Sequence, residues 1–220
     1  KNLPQFNEFR SNAYPFPPKP RNQWEIGIKG GAFTIIGDVP ATIPTGGFGI
    51  HIRKALGYVF SLRIEYVYGV GKGLNWQGRI GGFSKPFMDA GYTGAIYDNY
   101  KTKVQDLSLE TIISLNNIAF HKAMSKVNRY AIAGVGGTIY NVKVNALNGT
   151  TRYNFSTVTG NVLANKKDTR KALKSLLDKC YESAGENDNK KKVFGNSFSP
   201  SASIGAGIAF KLSKKVNLAI

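Results

Sequence analysis

Alternation at a period of two predicts an all-β chain, and the character of its two faces predicts a membrane-spanning antiparallel barrel. From Tyr58 to Gly71 one set of alternate residues is Phe60, Leu62, Ile64, Tyr66, Tyr68 and Val70, and the other is Ser61, Arg63, Glu65, Val67, Gly69 and Gly71. Period two belongs to a strand. A strand with hydrocarbon on one side and an Arg and a Glu near mid-length on the other suits a lipid exterior and a polar interior. A second observation excludes the alternative way of crossing a bilayer: the chain has no run of about 18 apolar residues, which a helical span needs. The third is the rhythm of the connections, which alternate between short and long as the turns and loops of outer-membrane barrels do.

Taken in order, residues 1–22 read as an extended arm, because Pro15, Pro17, Pro18 and Pro20 suit neither helix nor interior strand. Strand one is expected over Trp24–Gly37, with Trp24, Ile26 and Ile28 on one face and Glu25, Gly27 and Lys29 on the other. Strand two covers Gly47–Lys54, placing Phe48, Ile50 and Ile52 opposite His51 and Arg53. After a tight turn at Ala55–Gly57, strand three runs on to Trp76. Strand four, Lys103–Leu115, sets Leu107, Leu109, Thr111 and Ile113 against Asp106, Ser108, Glu110 and Ile112. A linker, Asn116–Arg129, leads to strand five, Tyr130–Leu147, read with Tyr130, Ile132, Tyr140, Val142 and Val144 outward and Ala131, Ala133, Gly137, Asn141 and Lys143 inward. Strand six, Ser199–Leu212, sets Ala202, Ile204, Ala206, Ile208 and Phe210 against Ser201, Ser203, Gly205, Gly207 and Lys211. A seventh strand begins at Val216.

The expected architecture is therefore an eight-stranded up-and-down transmembrane barrel occupying 23–220, with its seventh strand cut at Ile220, its eighth beyond this sequence, and its N-terminal arm periplasmic. The longer connections, 38–46, 77–102 and 148–198, face the outside. The last of them holds one amphipathic helix, capped by Asp168 and ended near Gly185, with Leu173, Leu176, Leu177, Cys180 and Tyr181 on one face. That stripe either caps the barrel mouth or docks on another subunit.

Lys and Arg number 30 against 13 Asp and Glu, a net charge of +17. The excess is spread along the chain and is densest in one loop rather than on a recognition helix, which argues against nucleic acid as the partner. Anionic outer-membrane lipid and lipopolysaccharide phosphates suit it better. The loop cations in question are Lys166, Lys167, Arg170, Lys171, Lys174, Lys179, Lys190, Lys191 and Lys192. They read equally as lipopolysaccharide or partner contacts and as a solvated helix face. Inside the barrel, Glu25, Lys29, His51, Arg53, Arg63, Glu65, Asp106, Glu110 and Lys143 form a set of both signs. An eight-stranded barrel is just wide enough for side chains to fill, and charges of both signs can satisfy one another. The expectation is a plugged, salt-bridged interior, with a narrow gated pore as the alternative.

Chemistry is sparse. Gly69-Val70-Gly71-Lys72-Gly73 has neither the spacing nor the following helix of a phosphate loop. Asn148-Gly149-Thr150 reads as a turn. His51 and His121, the only histidines, stand in no metal-ligand spacing, and Cys180 is the single cysteine. No cofactor is expected, and the chain is read as non-enzymatic. A lipid-modifying barrel enzyme is the more distant alternative, since His51 falls in the interior set and His121 in the periplasmic linker.

Several segments carry a resemblance: Trp24-Glu25-Ile26-Gly27, Gly30-Gly31, Ser114-Leu115-Asn116-Asn117-Ile118 with Phe120-His121-Lys122, Tyr130-Ala131 through Gly134-Val135-Gly136, Ser199-Pro200-Ser201 through Gly205-Ala206-Gly207, and Lys214-Lys215-Val216-Asn217-Leu218. In this order they resemble the OmpA-type outer-membrane barrels of the Bacteroidetes. The resemblance implies an eight-stranded barrel followed by a periplasmic domain, outside this sequence, that grips peptidoglycan. It also implies an alternative setting, as a subunit of a larger outer-membrane complex for protein assembly, secretion or nutrient uptake.

Overall fold

Strand pairing dominates the computed structural model, which describes residues 4–14, 23–118, 126–159, 166–178, 180–185, 190–213 and 216–220. Seven strands follow one another as antiparallel neighbours: β1 (Trp24–Phe33), β2 (Thr45–Ala55), β3 (Phe60–Leu74), β4 (Asn99–Ser114), β5 (Val127–Val144), β6 (Asn196–Lys211) and β7 (Asn217–Ala219). The all-β, antiparallel expectation holds. The sheet is not hydrogen-bonded into a closed ring: β1 and β7 are its two ends, and no backbone ladder joins them. They do approach, because Asn217 Nδ2 donates to Glu25 Oε2 at 3.4 Å. The sheet thus curls round and gives itself an inner and an outer face.

Alternation assigns the faces. Ladders β2–β3 and β3–β4 run without a bulge, so parity along one strand carries to the next. Ile26, Ile28, Phe48, Ile50, Ile52, Phe60, Leu62, Ile64, Leu107 and Leu109 all lie exposed on the outer face, whereas Ser61, Glu65, Ser108, Glu110 and Ile112 are buried on the inner one. This inverts the usual soluble arrangement: the inner face holds the charge and the outer face the hydrocarbon.

Strand β5 departs from the sequence expectation. Its residues directly opposite Asp106, Ser108 and Glu110 are Thr138, Gly136 and Gly134, so even-numbered positions point inward. Tyr130, Ile132, Tyr140 and Val142 therefore face the interior, and Ala131, Ala133, Asn141 and Lys143 face out. Space is the physical reason. A Cβ at Gly136 would come within 2.5 Å of the Leu107 carbonyl oxygen, and one at Gly134 within 2.6 Å of Glu110 Cγ. Only glycine lets β5 lie against the carboxylate row, and register then carries the larger residues inward with it.

Other boundaries shift. Pro4–Arg10 forms a helix, α1, within the arm expected to be extended. Pro4 opens it, at the position where a missing N–H costs nothing. The Pro-rich stretch 15–22 and residues 119–125 of the expected linker, His121 among them, lie outside the described residues. The connections keep their rhythm but are not open loops. Lys85–Asp89 (α2), Ser156–Thr159 (α3) and Lys166–Leu176 (α4) fold within them, Asn148-Gly149 turns a hairpin between Leu147–Asn148 and Thr151–Arg152, and Ser183–Ala184 pairs with the end of β5. The expected helix is shorter than its apolar stripe. It ends at Leu176, before Cys180 and Tyr181, because Asp178 is captured by the neighbouring loop: Asn145 Nδ2 donates to its backbone and side-chain oxygens at 3.0 and 2.7 Å.

Candidate functional site

Two constructions stand out, a charged interior and a packed cap on the loop end. The interior gathers eight of the nine charged residues expected there. Arg63 is its centre: the guanidinium reaches Glu110 at 2.6 Å and Glu65 at 3.2 Å, and Lys29 pairs with Glu65 from the far side. Glu65 and Glu110 are almost wholly buried, at 3% and 4% exposure. Ser203 on β6 donates to the second oxygen of Glu110 at 3.1 Å. Asp106 accepts from Thr138 and Ser201, both at 2.6 Å, joining β4 to β5 and β6. Toward the turn end Glu25 meets Arg53 at 3.4 Å, His51 at 3.7 Å and Asn217. Charges so removed from water are tolerated only when paired or hydrogen-bonded: Glu25, Glu65 and Glu110 have cationic partners, and Asp106 has its two hydroxyl donors. Lys143 is the exception; it stands on the outer face, across from Lys101.

The cap carries the apolar core of the molecule. Phe87 of α2, Ile96, Tyr97, Val144, Ala146, Tyr153, Phe155, Val158 and Leu173 of α4 are buried together, with Leu176 and Leu177 against them. The apolar stripe of α4 therefore covers its own neighbouring loops. Polar ties stitch them: Asn99 and Asn145 exchange bonds at 2.7 and 3.0 Å, and the Tyr92 hydroxyl donates to the Ala146 carbonyl and accepts from the Tyr153 amide, both at 2.8 Å. Burial pushes the Tyr153 phenol up to about 12; the Asp178 amide it accepts opposes the rise and the Asp178 carboxylate adds to it. Burial likewise raises Tyr92.

The basic loop residues divide. Lys166, Lys167, Lys171 and Lys174 lie on the exposed side of α4, while Arg170 turns in toward the Leu74 carbonyl at 3.4 Å. Lys190 reaches the Tyr140 hydroxyl at 2.7 Å, Lys191 and Lys192 are exposed beside the start of β6, and Lys179 lies outside the described residues. Sequence reasoning missed the cap core and a row of outer-face lysines that only register aligns. The density of Tyr and Phe in 83–100 and 153–155 was the available signal for the first.

Among the described residues the nearest approach to a metal-ligand set is Asp178, Cys180 and Glu182, whose ligand atoms fall within 4.8 Å. Asp178 Oδ1 is already held by Asn145 and by the Cys180 amide at 3.0 Å, and the other two side chains are exposed, so the group reads as a capped turn. No protein-family model, no curated protein and no solved structure matches this chain.

Proposed function

We propose that this chain is the membrane-embedded part of a bacterial outer-membrane barrel of the OmpA type, a non-enzymatic structural element whose sheet is completed by one further strand. The observation that carries the reading is the inverted distribution of polarity. Ile26, Ile28, Val135 and Ile204 stand exposed on the outer face, while the buried Glu65 and Glu110, with Arg63 between them, occupy the inner one. In water this arrangement would expose a broad apolar belt; in a bilayer it is the required one. Length supports it. Phe60 to Val70 rises roughly 33 Å at about 3.3 Å per residue, or about 25 Å across a bilayer at a tilt of about 40°. A cavity of about 890 Å³ runs from the charged interior, at His51, Arg53, Arg63, Ile112 and Tyr130, out between Glu25–Gly30 of β1 and residues 216–220, and the completing strand would lie at its open side along the unpaired edge of β1. An open sheet edge does not survive in hydrocarbon, where every backbone polar group needs a partner.

The role proposed is to hold the outer membrane to peptidoglycan through a further domain, with the packed cap as a surface toward other outer-membrane proteins; the anchoring part rests on the resemblance. Two measurements test it. A form extended by the completing strand should fold into phosphatidylcholine vesicles and become protected from protease over β1–β6; failure of that form to insert overturns the membrane reading. A longer form carrying the C-terminal domain should sediment with peptidoglycan, and lack of binding removes the anchor. The paired interior leads to low conductance in a planar bilayer, and a steady large conductance would favour the passive pore instead.

A further inference from the structure

Register brings three lysines into one line. Lys72 of β3 lies directly across from Lys101 of β4, and Lys101 directly across from Lys143 of β5. Parity puts all three on the outer face, with Lys103 one step nearer the middle of the same face. Like charges directly opposite on neighbouring strands repel and destabilise a sheet, so a row of three is a cost that the fold alone does not explain. Among the described residues none of Lys72, Lys103 and Lys143 has a carboxylate partner, and Lys101 leans over the Tyr181 ring at 5.8 Å.

Beside the row is a place for something to sit. Lys72, Lys174 of α4 and Tyr181 line an open pocket of about 330 Å³ whose other walls include Ile43, Leu74 and Leu177. Its size is that of a small-molecule site. Its chemistry is two ammonium groups, the polar side chains of Thr42, Thr45 and Asn99, and the Asp178 carboxylate, whose Oδ1 is already held by Asn145 and the Cys180 amide, over apolar walls. Position supplies the rest. Below the row the outer face turns to Tyr66 and Tyr68 and then to Ile64, Leu107 and Leu109; above it stands the water-facing cap. On the membrane reading, on which this inference rests, the row lies at the height of lipid headgroups.

We infer that Lys72, Lys101, Lys143 and Lys174 form a binding site for the phosphate of an anionic lipid, whose acyl chain starts in the pocket and runs down the outer apolar band. A phosphate monoester offers three acceptor oxygens and up to two negative charges, enough to offset the repulsion along the row. Lys174 is the one exposed lysine of α4 in the pocket lining; Lys166 and Lys171 are not part of it.

Native mass spectrometry of the protein released from neutral-detergent micelles reads the site directly. With dioctanoyl phosphatidic acid as probe, one adduct should be retained at a concentration at least about tenfold below that needed for dioctanoyl phosphatidylcholine. The Lys72→Gln, Lys101→Gln, Lys143→Gln triple variant should lose that preference. Because it relieves the repulsion, it should fold at least as well as the parent, so misfolding would itself count against the row being strained. Lys166→Gln with Lys171→Gln should retain the parental preference. Unchanged preference in the triple variant overturns the site, as does displacement of the lipid by equimolar inorganic phosphate, which would make it a free-phosphate site. If vesicle insertion succeeds and the lipid preference fails, this inference alone falls; if insertion fails, the membrane reading falls first.

Discussion

At the scale of single residues the interior is decided by who faces whom. Arg63 serves two buried carboxylates at once. Removing it leaves Glu65 and Glu110 with Lys29 and hydroxyls alone, and breaking a buried pair from one side costs about 3–5 kcal/mol. Arg63→Met should therefore lower the urea midpoint in micelles strongly, and adding Glu110→Gln should restore part of it; an additive loss would mean that the pair is not coupled. Glycine sets the limit from the other direction. Gly136→Ala drives a methyl into the Leu107 carbonyl, whereas Gly31→Ala meets nothing within 4 Å. The first should destabilise by about 1–3 kcal/mol and the second by less than about 0.5 kcal/mol, both read by urea unfolding. These glycines also explain what the sequence concealed. In β3 an Arg and a Glu sign the inner face unmistakably. In β5 one alternate set is Tyr, Ile, Gly, Gly, Thr and the other Ala, Ala, Val, Gly, Ile; the only charges are Arg129 and Lys143 near its two ends, and both belong outside.

Elements with their own periodicity were legible, and elements built by distant contacts were not. All seven strands follow from alternation, with ends moved by a few residues. The cap does not follow from any period: Phe87, Tyr97 and Phe155 meet from loops far apart in the chain, within 5.6 Å centroid contacts through Tyr92 and Tyr97. Helix α4 shows both cases, since its stripe predicts the helix and its true end depends on Asn145 catching Asp178. The cap also carries a pH dependence whose sign can be worked out. Tyr153 in the folded protein holds its proton up to about 12, above the usual value of 10.0. Between those values the folded state binds more protons than the unfolded one, so stability is full below about pH 10 and falls as pH rises toward 12. Cap opening over 145–158 and 166–178, read from hydrogen exchange as protection lost relative to the unstructured-peptide rate at each pH, should rise above about pH 10. Tyr153→Phe should flatten that rise while losing the bond from the Asp178 amide, about 1 kcal/mol.

For the whole molecule the question is how the sheet ends. Seven strands bring β7 within a side-chain contact of β1, and the ring stays open. On the proposed reading a completing strand separates them, since each strand occupies about 4.8 Å and β1 would then lie two spacings, about 10 Å, from β7. The bond from Asn217 to Glu25 is therefore a feature of the open form, and it supplies its own test. With Cys180→Ser removing the one native thiol, Glu25→Cys and Asn217→Cys should be bridged readily by a short thiol cross-linker in the 220-residue chain. In a chain extended by one more amphipathic strand the same pair should resist that linker and accept only a longer one, because a backbone now runs between them. Equal bridging in both forms would mean that the added strand does not enter the cleft, and the sheet would have to satisfy its edges by another route, such as β1 pairing with an edge of a second molecule.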